Sequence, residues 1–199
     1  MNYPQFFDEV PRIKVKDPLA QALGAFKNGE YEITYLEVVK AAGHSCPSVA
    51  GAYIMASEAI KLLYREERAV RGNIKVEFAE SLQEGVVGVM GNVITHITGA
   101  TDKSGFKGLN GQFARHSLMF FDADIHSSAR FTRVDTKKSV DINYNYSSIA
   151  ISPKMMPLMK KLTTGAATPE EAEEFGYLWQ ERVKRIFENI DKVIEVRVL

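Results

Sequence analysis

The stretch CPSVAGAYIMASEAIKLLY, residues 46–64, predicts a long helix packed against the core of the protein. Its apolar residues recur at intervals of three and four, the spacing that places side chains on one helix face: Val49, Ala52, Tyr53, Ala56, Ala59, Ile60 and Leu63. Pro47 suits the first helical position, where a backbone N–H is not needed. The pattern therefore predicts a helix that begins at Pro47 and ends before Gly72.

Two shorter helices are predicted on the N-terminal side of this segment. Asp17 and Pro18 have the residue types of an N-cap and a first helical position, and they start a short amphipathic helix that includes Leu23 and Phe26. Residues 35–42 form the second helix. Gly43 follows it, and glycine readily adopts the left-handed conformation that ends a helix.

On the C-terminal side the pattern changes to strand and then back to helix. Residues 74–78 alternate apolar and polar side chains, which indicates a half-buried strand. Residues 85–98 keep a helical interval although they include Gly88 and Gly91, so we expect a helix packed tightly against a neighbour. A glycine-rich loop follows over residues 99–111.

The second half of the chain predicts a sheet followed by helices. Alternating runs separated by turn residues indicate an antiparallel meander; they cover residues 114–121, 127–134 and 139–144. Helical patterns then occupy residues 153–161 and a segment that starts with a capping box at Thr168. The final residues, 193–198, alternate as a strand.

Together, the predicted helices and strands indicate an α+β fold, with an antiparallel sheet packed against helices. Residues 1–150 are expected to form the core with its N-terminal helices. Residues 151–199 are expected to form a helical C-terminal extension.

The composition narrows the class of protein. The chain has 199 residues, of which 45% are apolar and 25% charged, and its formal net charge is zero. These values exclude a disordered chain, and the balanced charge argues against a nucleic-acid partner, which would favour an excess of cations. The N-terminal residues lack the pattern of a secretory signal peptide and no apolar run is long enough for a membrane span. We therefore expect a cytoplasmic protein with no membrane partner.

Cys46 and His44 are the strongest candidates for chemistry. Cys46 is the only cysteine, so it has no intramolecular disulfide partner. A thiol at a helix N-terminus lies near the positive end of the helix dipole, which favours the thiolate. Thiolate and imidazole are both ligands of soft and borderline metal ions. The same spacing also fits a buried structural cysteine beside a capping histidine, and the spacing alone leaves both interpretations open.

The run GHSCPSVAGAYIMASEAIKLLY, residues 43–64, resembles the signature of the FmdE family, which takes its name from formylmethanofuran dehydrogenase. In that signature His-Gly-His-x-Cys-Pro-Gly leads into a long helix. Residues 92–101, NVITHITGAT, resemble the family's Asp-Ala-x-Gln-x-x-Thr-Gly-Cys-Thr segment. Residues 102–108 and 136–140 resemble the lysine- and glycine-containing segments that come later in the family's core.

This resemblance implies an α+β core, a homodimer, and a metal site that uses Cys46 and neighbouring histidines. A divalent transition metal, zinc or iron, is the cofactor that it implies. The chain departs from the signature at four positions, which hold Ala42, Ser48, Asn92 and Ala100 instead of His, Gly, Asp and Cys. The ligand set of this chain is therefore expected to differ from that of the family.

The remaining histidines are weaker candidates as metal ligands. His96 lies in the second segment of the resemblance, and we expect it to join His44 and Cys46 at the metal; the alternative is a core or interface histidine. His116 and His126 fall on separate predicted strands and are expected to be ordinary strand residues.

Lys103 and Lys107 lie in the glycine-rich loop and are candidates for cofactor binding. Glycine allows an anion to approach the backbone closely, and the lysines favour phosphate or carboxylate. The loop matches neither the Walker pattern nor the dinucleotide fingerprint, so ordinary solvated loop charges remain the alternative.

Three functions stay open at the level of the sequence. The first is a metal-binding FmdE-like protein that takes a metal or small-molecule ligand, as an enzyme or as an accessory protein of redox metabolism. The second is a haem protein, in which Cys46 of a Cys-Pro pair offers a thiolate to the iron and a histidine binds the other face. The third is a non-catalytic dimeric interaction module that keeps the core without the missing ligands.

Overall fold

The structure of the chain is a computed structural model that describes residues 3–199. The helices are α1 (Pro18–Ala22), α2 (Tyr35–Ala42), α3 (Pro47–Tyr64), α4 (Val87–Thr98), α5 (Met155–Thr163), α6 (Pro169–Glu188) and α7 (Ile190–Val193). The strands are β1 (Ile13–Lys16), β2 (Glu30–Ile33), β3 (Ala69–Val70), β4 (Ile74–Phe78), β5 (Met119–Phe120), β6 (Ala129–Arg133), β7 (Ser139–Tyr144) and β8 (Ile194–Val198). The α+β class predicted from the sequence is confirmed.

Helix α3 lies at the centre of the molecule and is buried on almost every side. It packs against α4, α6 and the sheet strand β7. The small residues of the helix make this possible, because a Cβ atom added to Gly51 would overlap the ring of Tyr144. The predicted start at Pro47 is confirmed, and the helix ends at Tyr64 because Arg65 has a positive φ of 53°.

The larger sheet has the strand order β5-β4-β6-β7-β8. All neighbours are antiparallel except β4 and β5, which are parallel. The sequence predicted that residues 114–121 form the first strand of a meander, and this is wrong. Only Met119 and Phe120 are extended there, since β4 pairs along its whole length with β6 and takes the position beside it. Residues preceding β5 bond to the loop after α4, where the Thr101 N–H donates to the Arg115 carbonyl at 2.9 Å.

A second, smaller sheet is formed by strands of the N-terminal part of the chain, in the order β2-β1-β3. The sequence did not predict it. The predicted helix after Asp17 is confirmed but has only five residues. The prediction that Leu23 and Phe26 lie on this helix is wrong: both follow its end at Ala22, and they are 67% and 48% exposed. The short helix therefore contributes little burial to the core.

The C-terminal part of the chain packs on the rest of the molecule. Helix α6 begins at the predicted capping box, with Thr168 and Glu171 bonded to each other's backbone, and it lies against α3. Strand β8 forms the last strand of the larger sheet beside β7. Within residues 3–199, no helix combines the length and the apolar character that crossing a lipid bilayer requires.

Candidate functional site

Cys46 is the N-cap residue of α3. Helix α2 ends at Gly43, which has a φ of 76°, so that the chain turns and enters α3 after three more residues. Cys46 itself is extended and half-buried, and its Sγ accepts the Val49 N–H at 3.5 Å. The sulfur therefore lies at the positive end of an 18-residue helix, which stabilises negative charge on a thiolate.

His44 is exposed, and its orientation is set by the backbone of the preceding helix. Its Nδ1 lies 3.0 Å from the carbonyl oxygen of Ala42. Because a carbonyl oxygen only accepts, Nδ1 must carry the proton of a neutral ring in this hydrogen bond. The Nε2 lone pair is then free, which is the arrangement that metal-binding histidines adopt.

The backbone on both sides of Cys46 is held by side chains from distant elements. The Ser45 carbonyl oxygen accepts hydrogen bonds from Trp179 Nε1 at 3.0 Å and from Gln180 Nε2 at 3.1 Å. The Pro47 carbonyl oxygen accepts one from the Tyr144 hydroxyl at 2.7 Å. The N-cap is thus fixed by α6 and β7, although no sequence pattern indicates a role in the site for these elements.

Two phenols lie near the thiol, the buried Tyr35 and the half-buried Tyr144. Tyr35 Oη is hydrogen-bonded to Ser45 Oγ at 2.9 Å. Burial raises the pKa of Tyr35 and of Tyr144, and negative charge at Cys46 would raise both pKa values further. Both hydroxyls therefore stay protonated at neutral pH and are available as hydrogen-bond donors.

Helix α6 brings further polar groups to this region. The Tyr144 and Tyr146 rings are stacked at 5.4 Å, and the Arg182 guanidinium lies 5.1 Å from the centre of the Tyr146 ring. Gln180 Oε1 and Arg182 Nε are buried and have no hydrogen-bond partner within residues 3–199. An acceptor and a donor are thus left unused on the helix turn that binds Ser45.

His96 is exposed in the last turn of α4 and borders a different part of the surface. It lines an open cleft of about 380 Å³ together with Tyr31, Glu37, Lys40 and Arg71, among others. Loss of contact with water lowers the pKa of His96, and the positive charge of Arg71 lowers it further. The ring therefore favours the neutral form at neutral pH.

The described part of the chain contains no group of three or more His, Cys, Asp or Glu side chains that could hold a metal ion. His44, Cys46 and His96 are therefore not a preformed three-ligand cluster in a single chain. Their joint use as metal ligands stays a prediction.

The other predicted site residues are dispersed. Lys103 and Lys107 are exposed in the loop after α4, and their role in cofactor binding stays a prediction. His116 and His126 were predicted on strands, and this is wrong: both lie in loops. His116 Nδ1 is within 3.0 Å of Ser117 Oγ, and His126 is exposed before β6.

A largely buried ion cluster that the sequence did not indicate lies at the ends of β1 and β3. The Asp17 carboxylate binds Arg71 Nη1 at 2.7 Å and Arg115 Nη2 at 2.5 Å. Burial alone would raise the pKa of Asp17, but the Ala20 N–H and the two arginines lower it below the usual value. The three residues are far apart in the sequence, so no local pattern could have joined them.

Comparison with protein families adds one finding. A family described as "FmdE, Molybdenum formylmethanofuran dehydrogenase operon" matches residues 41–194. The match includes the Cys46 motif and extends through the C-terminal helices, well beyond the segments of the sequence resemblance. No curated protein sequence gives a significant match to the chain.

Proposed function

The chain belongs to the FmdE family, and on this basis we propose that it is a metal-binding accessory protein whose single-chain site consists of His44 and Cys46. The observation that carries the proposal is the hydrogen bond between His44 Nδ1 and the Ala42 carbonyl, which leaves Nε2 free two residues from the helix-capping thiol. A borderline nitrogen and a soft sulfur donor suit zinc or ferrous iron.

The donor set fits an open metal site and not a closed structural one. Structural zinc sites use four protein ligands, whereas His44 and Cys46 supply two and the described residues form no cluster with a third His, Cys, Asp or Glu. The remaining coordination positions would be filled by water, a small-molecule ligand or a group from another chain. Such a metal, when bound, would supply Lewis acidity toward an oxygen or sulfur ligand.

The residues around the site support this function by fixing the backbone that carries Cys46. Trp179, Gln180 and Tyr144 hold the carbonyl groups on both sides of Cys46. Such supporting contacts keep ligands oriented before a metal arrives and strengthen its binding.

Metal content and a spectroscopic probe test the proposal together. We expect purified wild-type protein to carry zinc or iron, and cobalt added to the metal-free protein to give thiolate charge-transfer absorption. Cys46→Ser should abolish that absorption, and His44→Gln should weaken metal affinity by about tenfold or more, or roughly 1.4 kcal/mol.

His126→Gln is the matched control, because His126 is exposed in a loop and should leave affinity unchanged. Equal and negligible metal binding in wild type and Cys46→Ser would contradict the proposal and favour the interaction module. A haem absorption band that depends on Cys46 would contradict it in favour of the haem protein.

A further inference from the structure

A cleft of about 450 Å³ lies where the end of α3 meets strands β7 and β8. Cys46 caps the opposite end of this 18-residue helix, so the cleft is about 27 Å from the thiol. Part of the lining is apolar and open to solvent, since Leu62 is 41% exposed and Val198 is 66% exposed. The cleft therefore has the size of a small-molecule site, and it has apolar surface that a ligand would remove from water.

Three cations also line this cleft, and two of them have no counter-charge within residues 3–199. Arg133 forms ion pairs with Glu67 at 3.0 Å and with Asp135 at 2.9 Å. Glu67 is the acidic side chain of the lining, so its charge is already matched. The side chains of Arg65 and Lys138 are exposed, and the described residues offer them no hydrogen bond or ion pair. The charge of the cleft therefore favours an anion.

The backbone at Arg65 has a conformation that favours glycine. Its φ of 53° and ψ of −112° match the first central residue of a type II′ turn. The Glu67 N–H closes this turn by donating to the Tyr64 carbonyl at 2.9 Å. A side chain larger than that of glycine strains this conformation, and residues held under such strain cluster at ligand-binding and active sites. An arginine at this position therefore indicates a role beyond the turn itself.

The end of α3 offers a second reason for a positive charge. The helix dipole favours cations near a C-terminus, but Lys61 in the last turn of α3 already supplies one. The two reasons give opposite expectations for Arg65→Gly. If the dipole were decisive, the substitution would lower stability; if the side chain is retained for a ligand, relief of strain should compensate or raise it.

We propose that this cleft binds a small amphiphilic anion of the class of the medium-chain carboxylates. The carboxylate would lie on Arg65, whose planar guanidinium can donate two parallel N–H groups to it. Lys138 adds a second positive charge. The aliphatic chain would lie against Leu62 and Val198 and remove their exposed surface from water. This site is separate from the metal site proposed at Cys46 and does not depend on it.

Isothermal titration calorimetry with octanoate tests the proposal. The protein is used free of metal, so that no bound ion competes for the carboxylate. We expect a dissociation constant of about 1 mM or lower. Acetate lacks the chain and 1-octanol lacks the charge, so each should bind weaker by about tenfold or more. Absence of octanoate binding, or equal binding of the alcohol and the carboxylate, overturns the proposal.

Substitutions locate the ligand. Arg65→Ala and Leu62→Gln should each weaken octanoate binding by about tenfold or more, the first through the carboxylate and the second through the chain. Lys160→Ala is the matched control for charge, because it removes a cation at an exposed position of α5 and should leave the affinity unchanged. Far-UV circular dichroism checks that each variant folds. Unchanged affinity in folded Arg65→Ala overturns the proposal.

Arg65→Gly separates ligand binding from a role at the helix end. It removes the guanidinium as Arg65→Ala does, so octanoate binding should be lost to the same extent. It also relieves the backbone strain that alanine keeps. Arg65→Gly should therefore unfold at a higher urea concentration than Arg65→Ala, and at one no lower than wild type. A clearly lower midpoint than wild type would show that the arginine serves the end of α3, and it would overturn the proposal.

Discussion

Asp17 has two structural roles, and the local sequence indicates only one of them. The sequence predicts it as a helix cap, and its Oδ1 does accept the N–H groups of Leu19 and Ala20. Its role as the counter-charge of Arg71 and Arg115 comes from the fold, which brings together segments that no local spacing relates. The same limit applies to Ser45, whose bonds to Trp179 and Gln180 span more than 130 residues.

Asp17→Asn should destabilise the protein by ~3–5 kcal/mol at neutral pH, because it leaves two arginines, of which Arg115 is buried, without their counter-charge. The folded-state pKa of Asp17 is lowered, so its contribution is present above the unfolded-state pKa and lost as the pH falls through the folded-state pKa. The difference between wild type and variant should therefore shrink in acid. Urea unfolding at a series of pH values, from neutral to about pH 3, measures how the difference in the free energy of unfolding depends on pH. Asp124→Asn, in an exposed turn, should change stability by less than ~0.5 kcal/mol; a pH-independent difference for Asp17→Asn would contradict the prediction.

At the scale of elements, helices were predicted better than strand neighbours. Helices α2, α3, α4 and α6 have strong local signals, such as the left-handed glycines at the ends of α2 and α4 and the capping box of α6. Which strand lies beside which depends on pairing across the sheet. The alternation of residues 114–121 therefore predicted a strand, but could not show that β4 would take the place beside β6.

The glycines of α3 and α6 give opposite expectations for the same substitution. Gly51→Ala should destabilise by ~1–3 kcal/mol, because the new methyl group overlaps the Tyr144 ring. Gly176→Ala should stabilise by up to ~1 kcal/mol, since nothing lies within 4 Å of its added Cβ and alanine favours helix. Urea unfolding of both variants against wild type measures the two effects. A stabilising effect of Gly51→Ala would show that α3 is not held as tightly against β7 as described.

At the scale of the whole molecule, the C-terminal helices belong to the architecture of the Cys46 region. Phe187 of α6 lies 4.7 Å from the ring of Tyr35, and Tyr35 is bonded to Ser45 beside the thiol. The sequence predicted these helices and their caps but treated them as an extension of the core. Their apolar faces gave no indication of which surface they would cover, because amphipathic spacing identifies a buried face and not its partner.

A chain that ends at residue 150 should not fold cooperatively. It would lose Val183, Ile186 and Val193, which are almost completely buried; each stabilises by ~1.5–3 kcal/mol, which sums to a large part of the ~5–15 kcal/mol that holds a domain together. It would also expose the buried face of α3 and leave β7 as an unprotected edge. Differential scanning calorimetry should show a transition for residues 1–199 and none for residues 1–150. A cooperative transition in the shorter chain would instead establish residues 1–150 as an independent core, with α6 and β8 added to a site that forms without them.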